Sequence, residues 1–575
     1  MMRKIACFSS AFMLMLLLSV QTFAQEINLT GTILADEDGT PLVGVTVTNK
    51  ATGKKVQTNA AGYYSIAATK GNKVTFSYVG YANVEYIVGA DTKHSIRLVE
   101  SNKEVGNVVV TAFGATQSKR NTAYQTVTVT GDEITSTRRE NFINSLAGRI
   151  PGAMITSTTG MPGSSTSIIL RGPTSMDGSN QPIFVVDGLI IDNNAFEMQD
   201  RLMPGGAGLN TANRNNDFAN RAADINPEDI ENLTVLKGPE ATAMYGIDGA
   251  NGAIVITTKK GKKGKANVTY NGNVRFDFVN NLPKTQSVYD QGSLGVTNPT
   301  SRSFFGQRIP AGRPVFDNIN NFFRTGVSQQ HNIAVDGGTD AGSYRFSASY
   351  FNNQGVVPTT NFSRYNFTLR TAFKLSPKLN VNNSVSYIST NTIKASKGVN
   401  GFLISLLTWP NDEDIRNYID ANGNRITINP LSLAEDNNPF FELNMNRNFD
   451  KNTRLLANTQ IVYDAAKWLN LTGSIAIDYY NNTGTLSLHP QDLFGRNSGG
   501  FYQEFRQEQQ ILNGFFRAVA RKKVGNFNHT VTLNVDFMKR FEVANAVAGE
   551  RVFDPNFFSI NNTDPLTRNS LQTPG

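Results

Sequence analysis

The chain has 575 residues, enough for several domains, and only 17% of them are charged, which is below the usual quarter. Its formal net charge of +8 is small and scattered along the chain, which argues against a nucleic-acid-binding surface. Aromatic residues are plentiful, with 36 Phe and 18 Tyr, while the apolar runs after the N-terminus are too short for membrane helices. A membrane protein of this composition is expected to cross the bilayer with strands.

The N-terminus has the pattern of a cleaved signal peptide. Two basic residues precede an apolar stretch at 11–20, and small residues lead up to Ala24. We predict cleavage between Ala24 and Gln25, because the apolar stretch falls short of the roughly 20 residues that a membrane anchor needs. Cys7 is the single cysteine and lies inside this signal, so the exported chain is expected to have neither a disulfide nor a Cys-ligated metal.

Residues 27–98 alternate between short runs of period two and turns that contain Gly. In one run Val43, Val45 and Val47 are expected to share one face of a strand. About seven short strands at this spacing predict a small β-sandwich.

A polar linker at 99–117 contains a β-branched run, which consists of Val108, Val109, Val110, Thr111 and Ala112. Such a run between flexible flanks is suited to join the sheet edge of another protein as an added strand. Two other interpretations stay open from the residues alone. The run is the last strand of the sandwich, or it is an ordinary strand of the domain that follows.

Residues 118–260 predict a small mixed α/β domain. Strand-like runs alternate there with Gly- and Pro-containing turns, at 167–170, 183–186, 233–236 and 253–257. Asn226 is placed to cap a helix start at Pro227. Asp187 is followed by Gly188, which favours a tight turn at a strand end over a catalytic carboxylate. The histidines of the chain are far apart in sequence, so no catalytic or metal-binding constellation is expected.

From residue 266 the pattern changes to long alternating segments with apolar and aromatic residues on one face. Short connections are expected near 337–342, 376–378, 464–468 and 524–527. Longer connections are expected near 280–328, 351–362, 390–450 and 481–502. About nine strands with connections that alternate in this way predict an antiparallel transmembrane barrel with its short turns in the periplasm.

Six motifs follow one another along the mixed domain: RIPG at 149–152, ILRG at 169–172, VDG at 186–188, VLKG at 235–238, MYG at 244–246 and NGAI at 251–254. Their order closely resembles the plug of SusC/RagA-like TonB-linked outer-membrane transporters. The residues that this resemblance assigns to the plug motifs are Arg171, Gly172, Asp187, Gly188, Lys237, Gly238, Tyr245, Gly246, Asn251 and Gly252. Residues 27–98 resemble the carboxypeptidase-regulatory-like domain of that family, and residues 108–112 lie where it carries the TonB box.

The resemblance implies a mainly β protein. Its parts are the β-sandwich at 27–98, the linker at 99–117, the mixed α/β plug at 118–260 and the first part of an antiparallel outer-membrane β-barrel at 266–575. It also implies a receptor that imports a nutrient such as an oligosaccharide or peptide. Its expected partners are a TonB-type periplasmic energy transducer, a SusD-like surface lipoprotein lid and outer-membrane lipid. No enzyme activity, cofactor, metal or nucleic acid is expected. The alternative is a β-rich surface adhesion or structural protein.

The strand count bears on the length of the whole protein. Plugged transporters of this kind close with about 22 strands, and about nine cannot surround a folded plug. The final residues, RNSLQTPG, are expected to lie in an outer loop. We therefore expect the sequence to be the N-terminal part of a longer protein.

Three aromatic pairs lie in the long connections, at Phe304-Phe305, Phe322-Phe323 and Phe440-Phe441. Two interpretations of these pairs stay open. They stack on sugars, or they pack in the membrane girdle and in the cores of the loops.

Overall fold

The computed structural model describes residues 27–36, 39–78, 81, 83–89, 91–98, 126–176, 179–194, 217–299, 301, 303–398, 401–427, 437–493, 498–525 and 527–573, and the backbone of 108–110 and 116–118. These residues fall into two compact units, which meet in sequence between residues 108 and 121. Each unit has its own strands and core.

The first unit contains seven described strands in two sheets. The strands are β1 (Ile27–Ala35), β2 (Thr46–Asn49), β3 (Lys55–Gln57), β4 (Tyr63–Ala68), β5 (Lys73–Ser77), β6 (Val84–Ile87) and β7 (Ile96–Leu98). One sheet has the order β4-β1-β7 and the other β3-β2-β5-β6. Alternate side chains point inward, and Leu29, Ile33, Val47 and Phe76 are fully buried in the shared core.

One expectation for this unit was wrong. Val43 does not share the buried face of Val45 and Val47, because 51% of it is exposed whereas the other two have no exposed surface. The reason lies in the backbone: Gly44 has φ of 80°, which breaks the alternation of faces before β2 begins at Thr46.

Two three-residue strands follow in the chain, β8 (Val108–Val110) and β9 (Thr116–Ser118). They pair with each other in a two-stranded sheet.

The segment expected to form the plug, residues 126–258, is called the plug segment below. Its strands are β10 (Val127–Thr130), β11 (Ala153–Ser157), β12 (Thr166–Leu170), β13 (Ile183–Val186), β14 (Leu189–Ile191), β15 (Ile230–Leu236) and β16 (Ala253–Thr258). In the described residues, five of them form a sheet in the order β10-β15-β16-β13-β14, and β11 pairs with β12. β13 and β16 are parallel, while the other neighbours in both sheets are antiparallel. The two α-helices in the described part of this segment are α1 (Gly131–Ser136) and α2 (Pro239–Tyr245).

Local sequence explains where the helices and turns of the plug segment begin. Thr130 and Glu133 form a reciprocal capping box at the start of α1. Asn226 accepts a hydrogen bond from the Glu228 N–H and caps a single 3-10 turn, Pro227–Asp229, so the predicted helix start is confirmed. Asp187 and Gly188 have φ of 49° and 88° and connect β13 to β14 as a two-residue hairpin turn, as expected.

The second unit continues into a large antiparallel sheet, which is called the wall. Short strands β18 (Gly292–Ser293) and β19 (Val296–Thr297) form a separate hairpin within one of its loops. Among the described residues the wall has ten strands in chain order: β17 (Gly264–Asp277), β20 (Gly326–Gly338), β21 (Gly342–Gln354), β22 (Asn361–Ser376), β23 (Leu379–Ile393), β24 (Arg447–Ala466), β25 (Leu469–Leu488), β26 (Phe501–Val524), β27 (Phe527–Glu550) and β28 (Asn569–Thr573).

The wall corrects the expected strand count of about nine. Residues 569–573, which were expected in an outer loop, form β28 and pair with Ala544 to Ala548 of β27. The sequence did not reveal β28 because its five residues include a single apolar one, Leu571, and therefore show no alternation. The short connections agree with the prediction, since β20 and β21, β22 and β23, β24 and β25, and β26 and β27 are joined by two or three residues.

One face of the wall is a band of exposed apolar side chains. It includes residues predicted to share a face, such as Val268, Phe276, Phe346, Ile461 and Leu533. The opposite face is largely buried against the plug segment and is rich in Asn, Gln, Ser, Thr and Arg. Strands β24 to β27 have 20 to 24 residues, about twice the 9–11 that cross a bilayer, so they extend beyond the apolar band.

The long connections at the other end of the wall have a small core of their own. It is built on three short helices, α3 (Asn318–Phe322), α4 (Phe402–Thr408) and α5 (Pro439–Met445). Phe322 and Phe441 are fully buried, which favours the loop-core interpretation for these two residues. None of the helices in the described ranges is both long and apolar enough to span a membrane.

Candidate functional site: the polar seat of the plug segment

The plug segment rests on polar side chains that the wall strands project toward it. Strand alternation places every second residue of the wall on this face. Because buried polar atoms need partners, wall and plug segment are joined by hydrogen bonds and ion pairs. Four wall arginines, with their partners in the plug segment, are called the polar seat; they are Arg345, Arg364, Arg370 and Arg454.

Arg454 of β24 is at the centre of the seat, and its side chain has no exposed surface. Its Nε and Nη2 atoms donate to the two carboxylate oxygens of Asp478 on β25, at 2.8 and 2.6 Å. Its Nη1 atom donates to Asp224 Oδ2 at 3.1 Å and to the carbonyl of Arg221 at 2.8 Å, both in the plug segment. Nη2 also reaches the Asp192 carbonyl at 3.2 Å. One guanidinium therefore holds two separate stretches of the plug segment.

A second contact involves the 3-10 turn that Asn226 caps. Ser347 of β21 donates to Asp229 Oδ2 at 2.9 Å, and Arg345 lies 3.4 Å from Asp229 Oδ1. Asn226 donates to Asn332 Oδ1 on β20 at 3.0 Å. The turn is thus held by two neighbouring wall strands.

The hairpin turn at Asp187 is a third contact. Arg370 of β22 lies 2.7 Å from Asp187 Oδ2, and Thr258 donates to the same carboxylate from its backbone N–H and its hydroxyl, at 3.0 and 2.8 Å. Burial alone would raise the pKa of Asp187, but Arg370 and the Thr258 hydrogen bonds together hold it below its usual value. A cavity of about 130 Å³ lies beside this pair, between the plug segment and the wall.

Glu140 lies half-buried near Arg364, beneath β21 and β22. Its carboxylate accepts hydrogen bonds from Gly163 N at 2.6 Å and from Asn353 Nδ2 at 2.7 Å. Burial raises the pKa of Glu140 in spite of these two donors. Arg364 donates to the carbonyl of Ala223 and so joins β22 to the same stretch that Arg454 holds.

The predicted plug-motif residues have structural positions, most of them at one end of the plug sheet. Lys237 Nζ donates to the Pro151 carbonyl of the RIPG motif at 2.6 Å. Asn251 accepts a hydrogen bond from Thr174 at 2.6 Å and donates to the Ser179 carbonyl at 2.7 Å. The other motif residues in turns or at helix ends are Arg171, Gly172, Gly238, Tyr245, Gly246 and Gly252. Asp187 alone among these ten residues also forms an ion pair with a wall arginine.

The candidate TonB box is described in part. Val108, Val109 and Val110 form β8, whereas Thr111 and Ala112 lie outside the described residues. Ala24 and Gln25, at the predicted signal cleavage site, also lie outside them.

The sequence did not predict the four wall arginines of the polar seat as partners of the plug segment. Asp187, Asp224 and Asp229 were visible as charged residues of the plug, but their arginine partners are 116 to 230 positions away in sequence. The sequence nevertheless contained a signal for these arginines. Each of them lies on the buried face of a wall strand whose opposite face carries exposed apolar residues; the four are Arg345, Arg364, Arg370 and Arg454. A charge at such a position needs a partner on the inside.

Two family models match the chain. The TonB-dependent Receptor Plug Domain matches residues 118–253, and the CarboxypepD_reg-like domain matches residues 29–110. TonB-dependent receptor SusC of Bacteroides thetaiotaomicron is 32% identical over 498 residues, which are 85% of this chain and 46% of the relative. TonB-dependent receptor P26 of Formosa agariphila is 29% identical over 566 residues, which are 94% of this chain and 52% of the relative. The chain thus spans about half the length of these curated relatives.

Solved structures of the RagAB peptide transporter share the fold. One has a TM-score of 0.60 at 18% identity and covers 78% of this chain and 52% of its own chain. The "open-open" state of the RagAB peptide importer has a TM-score of 0.59 at 18% identity, with 81% of this chain and 53% of that chain covered.

A plug held against a wall of antiparallel strands, with its matching family model, defines the class of TonB-dependent receptors. Within that class the chain is SusC/RagA-like, by its order of domains and by its 32% identity to SusC.

Proposed function

We propose that this chain acts in the outer membrane as part of a TonB-dependent receptor that imports a nutrient, either an oligosaccharide or a peptide. The family supports this proposal, since the relatives are TonB-dependent receptors and a similar structure is a peptide importer. In this proposal the apolar band of the wall contacts outer-membrane lipid, and a SusD-like lipoprotein covers the long loops. The division into parts at 27–98, 99–117, 118–260 and 266–575 belongs to the same proposal.

The polar seat is the observation that carries the proposal. A plug that must leave its place and return is better held by ion pairs and hydrogen bonds than by a purely apolar interface, because polar groups are readily rehydrated when the contact opens. Arg454, Arg370 and Arg345 each hold a different stretch of the plug segment. Opening such a seat requires work, and the outer membrane has no nucleotide pool, so a mechanical pull from a TonB-type transducer supplies it.

The pairing of β10 with β15 indicates which part of the plug segment such a pull would detach first. β10 is an edge strand of the plug sheet, and it pairs with β15 from Val127↔Val235 to Thr130↔Asn232. The start of β15 pairs with Thr258, which leads to β17 at the short-turn end of the wall. Val127 therefore lies at the end of the sheet that faces away from the short turns.

A pull on the chain before Val127, directed toward the short turns, breaks the residue pairs between β10 and β15 one after another, beginning at Val127. Separating β10 in this way needs less force than shearing all of these pairs at once. β10 contributes no arginine contact to the seat, so it separates first while Asp187, Asp224 and Asp229 stay bound. The resistance of a plug to such a pull is set by an unfolding rate and not by its equilibrium stability.

Substitutions in β8 test whether the run at 108–112 is the handle, meaning the segment that the TonB-type transducer grips. Val109→Pro removes a backbone N–H and fixes φ, so it should prevent strand addition to the transducer. Val109→Ile keeps the backbone donor and is the matched control. In bacteria that produce the receptor, we expect Val109→Pro to abolish accumulation of the nutrient and to leave its binding at the cell surface unchanged. Val109→Ile should change neither.

The two readouts separate the alternatives. If Val109→Pro also abolishes surface binding, the run is a folded strand of the receptor and not a handle. If accumulation is unchanged, the transducer grips another part of the chain. Surface binding without accumulation in the unmodified protein would favour the adhesion alternative.

A further inference from the structure

We infer that the long loops carry a binding site for a neutral pyranose unit of an oligosaccharide, in a cavity bounded by Phe304, Phe305, Phe316, Trp409 and Asn411. The inference rests on the proposed function, because it names the class of nutrient that the receptor takes. The cavity has a volume of about 340 Å³, which is within the usual range of small-ligand sites, about 300–1,000 Å³.

The cavity is formed by two long connections at the same end of the wall. One joins β17 to β20, and the other joins β23 to β24. Phe316 N donates to the Asn411 carbonyl at 2.7 Å, and the Asn411 side chain donates through Nδ2 to the Gln286 carbonyl at 3.2 Å. These two hydrogen bonds hold the two loops against each other. Asn318 Nδ2 donates to the Pro410 carbonyl at 2.8 Å and adds a third link.

The floor of the cavity is rigid because it stands on the packed core of the loops. Phe322 contacts Phe323, Phe402 and Phe440 with ring centroids 5.1 to 5.2 Å apart. Leu406 and Ile319 belong to this core and also line the cavity. A preformed site of this kind binds a ligand without first having to order its own loops.

The lining has the chemistry of a carbohydrate site. Aromatic rings offer flat apolar surfaces for the C–H face of a sugar ring, and 68% of Phe305 is exposed. None of the twelve described residues that line the cavity carries a charge. Arg313 is already paired with Asp290 and Asp412, so this cation does not call for a charged ligand.

Two of the lining residues also have a buried polar atom without a hydrogen-bond partner among the described residues. Trp409 is 6% exposed, and its Nε1–H has no hydrogen-bond partner among the described residues. Asn411 Oδ1 is likewise buried and without a partner in this part of the chain. The amides of Gln286 and Asn318, in contrast, are used by backbone groups. Among the described residues, one donor and one acceptor of the lining residues are thus left without a partner, and a sugar hydroxyl group has both functions.

Tryptophan fluorescence gives a direct test. The chain has two Trp residues, and Trp468 lies at a short turn at the other end of the wall, so Trp468→Phe leaves Trp409 as the single emitter. The Trp468→Phe protein, as the full chain in detergent, is titrated with maltohexaose, cellohexaose, laminarihexaose, mannohexaose and xylohexaose. A neutral pentapeptide with blocked ends is titrated in parallel.

We expect a saturable change of Trp409 emission with at least one hexasaccharide and none with the peptide. Asn411→Ala and the exposed Phe305→Ala should each weaken that binding about 10-fold, and Asn417→Ala, an exposed residue outside the cavity, should not alter it. The inference is overturned if no hexasaccharide changes the emission up to about 10 mM. A response to the peptide alone, or an undiminished response in both cavity variants, also overturns it.

Uptake measurements separate this inference from the proposed function. If a hexasaccharide is accumulated by cells in a manner that Val109→Pro abolishes, but Trp409 does not respond to it, the receptor function stands and the cavity assignment fails. If Trp409 responds to a hexasaccharide that the cells bind but do not accumulate, the cavity assignment stands and the proposed import fails.

Discussion

Arg454 and Asp478 form a two-pronged ion pair on adjacent wall strands, with N···O distances of 2.8 and 2.6 Å, and both side chains are almost completely buried. The same guanidinium bonds to Asp224 of the plug segment. A buried cation with two carboxylates is stable only while all members are present, because each ion loses its hydration on burial. The pair therefore couples the integrity of the wall to the position of the plug segment.

Removal of this arginine should be strongly destabilising. We expect Arg454→Met to lower the free energy of unfolding by about 3–5 kcal/mol, because Asp224 and Asp478 would be left buried without their cation. The control is Arg506→Met on β26, whose ion pair with Glu508 is largely exposed and should be worth at most about 1 kcal/mol. Urea unfolding and trypsin cleavage within the plug segment measure the difference. Equal effects of the two substitutions would contradict a dominant role for the seat.

The Asp187–Arg370 pair should make stability depend on pH. The pKa of Asp187 is lowered in the folded protein, so its stabilisation is present above the unfolded value of about 4 and is lost as pH falls through the folded value. We expect Asp187→Asn to lower stability by about 1.5–3 kcal/mol at pH 7 and to have progressively less effect below pH of about 4. Unfolding midpoints from pH 7 to pH 2 measure this, and a difference independent of pH would refute it.

Gly252 should tolerate no side chain. It has φ of 97°, and a Cβ atom there would lie 2.7 Å from both Leu170 Cδ1 and the Leu236 carbonyl oxygen. Gly148 has φ of 76°, but no atom lies within 4 Å of a Cβ added there. Gly148→Ala therefore measures the cost of the positive φ alone, without a steric clash. We expect Gly252→Ala to destabilise by about 1–3 kcal/mol more than Gly148→Ala, through overpacking. Thermal unfolding of the two variants provides the comparison, and equal shifts would exclude the steric term.

The N-terminal unit should fold alone. Residues 27–98 contain a complete two-sheet core, so the isolated segment should unfold cooperatively with a β-type circular dichroism spectrum. Within it, Val45→Ala should cost about 2 kcal/mol, whereas Val43→Ala should stay within about 0.5 kcal/mol, because only Val45 is buried. A disordered segment, or equal effects of the two substitutions, would argue against the boundary at 98.

The mature chain should begin at Gln25. The signal pattern motivates this expectation, and mass spectrometry of the membrane fraction measures it. Detection of Met1 on the membrane-bound protein would show that the segment is retained.

Much of the architecture was predictable from the sequence because it depends on local patterns. Alternation of apolar residues predicted nine of the ten described wall strands, and Gly-containing turns marked the sandwich. Asn226 and Pro227 predicted a helix start, which in the structure is a single 3-10 turn. Asp187 with Gly188 predicted a tight turn at a strand end, which is the hairpin turn between β13 and β14. Each of these depends on neighbours within a few residues, where propensity, capping and period act directly.

The functional contacts were decided by the tertiary structure. Val43 lies outside the buried face because Gly44, with its positive φ, interrupts the alternation of faces. β28 has a single apolar residue, so only its backbone pairing with β27 identifies it as a strand. The partners of Asp187 and Asp224, and the meeting of Phe305 with Trp409 around one cavity, join parts of the chain that are far apart in sequence. The alternation of residues along a strand shows which face an arginine occupies. Which carboxylate it contacts depends on the pairing register of the wall strands and on how the plug segment packs against them, and neither is visible in the sequence.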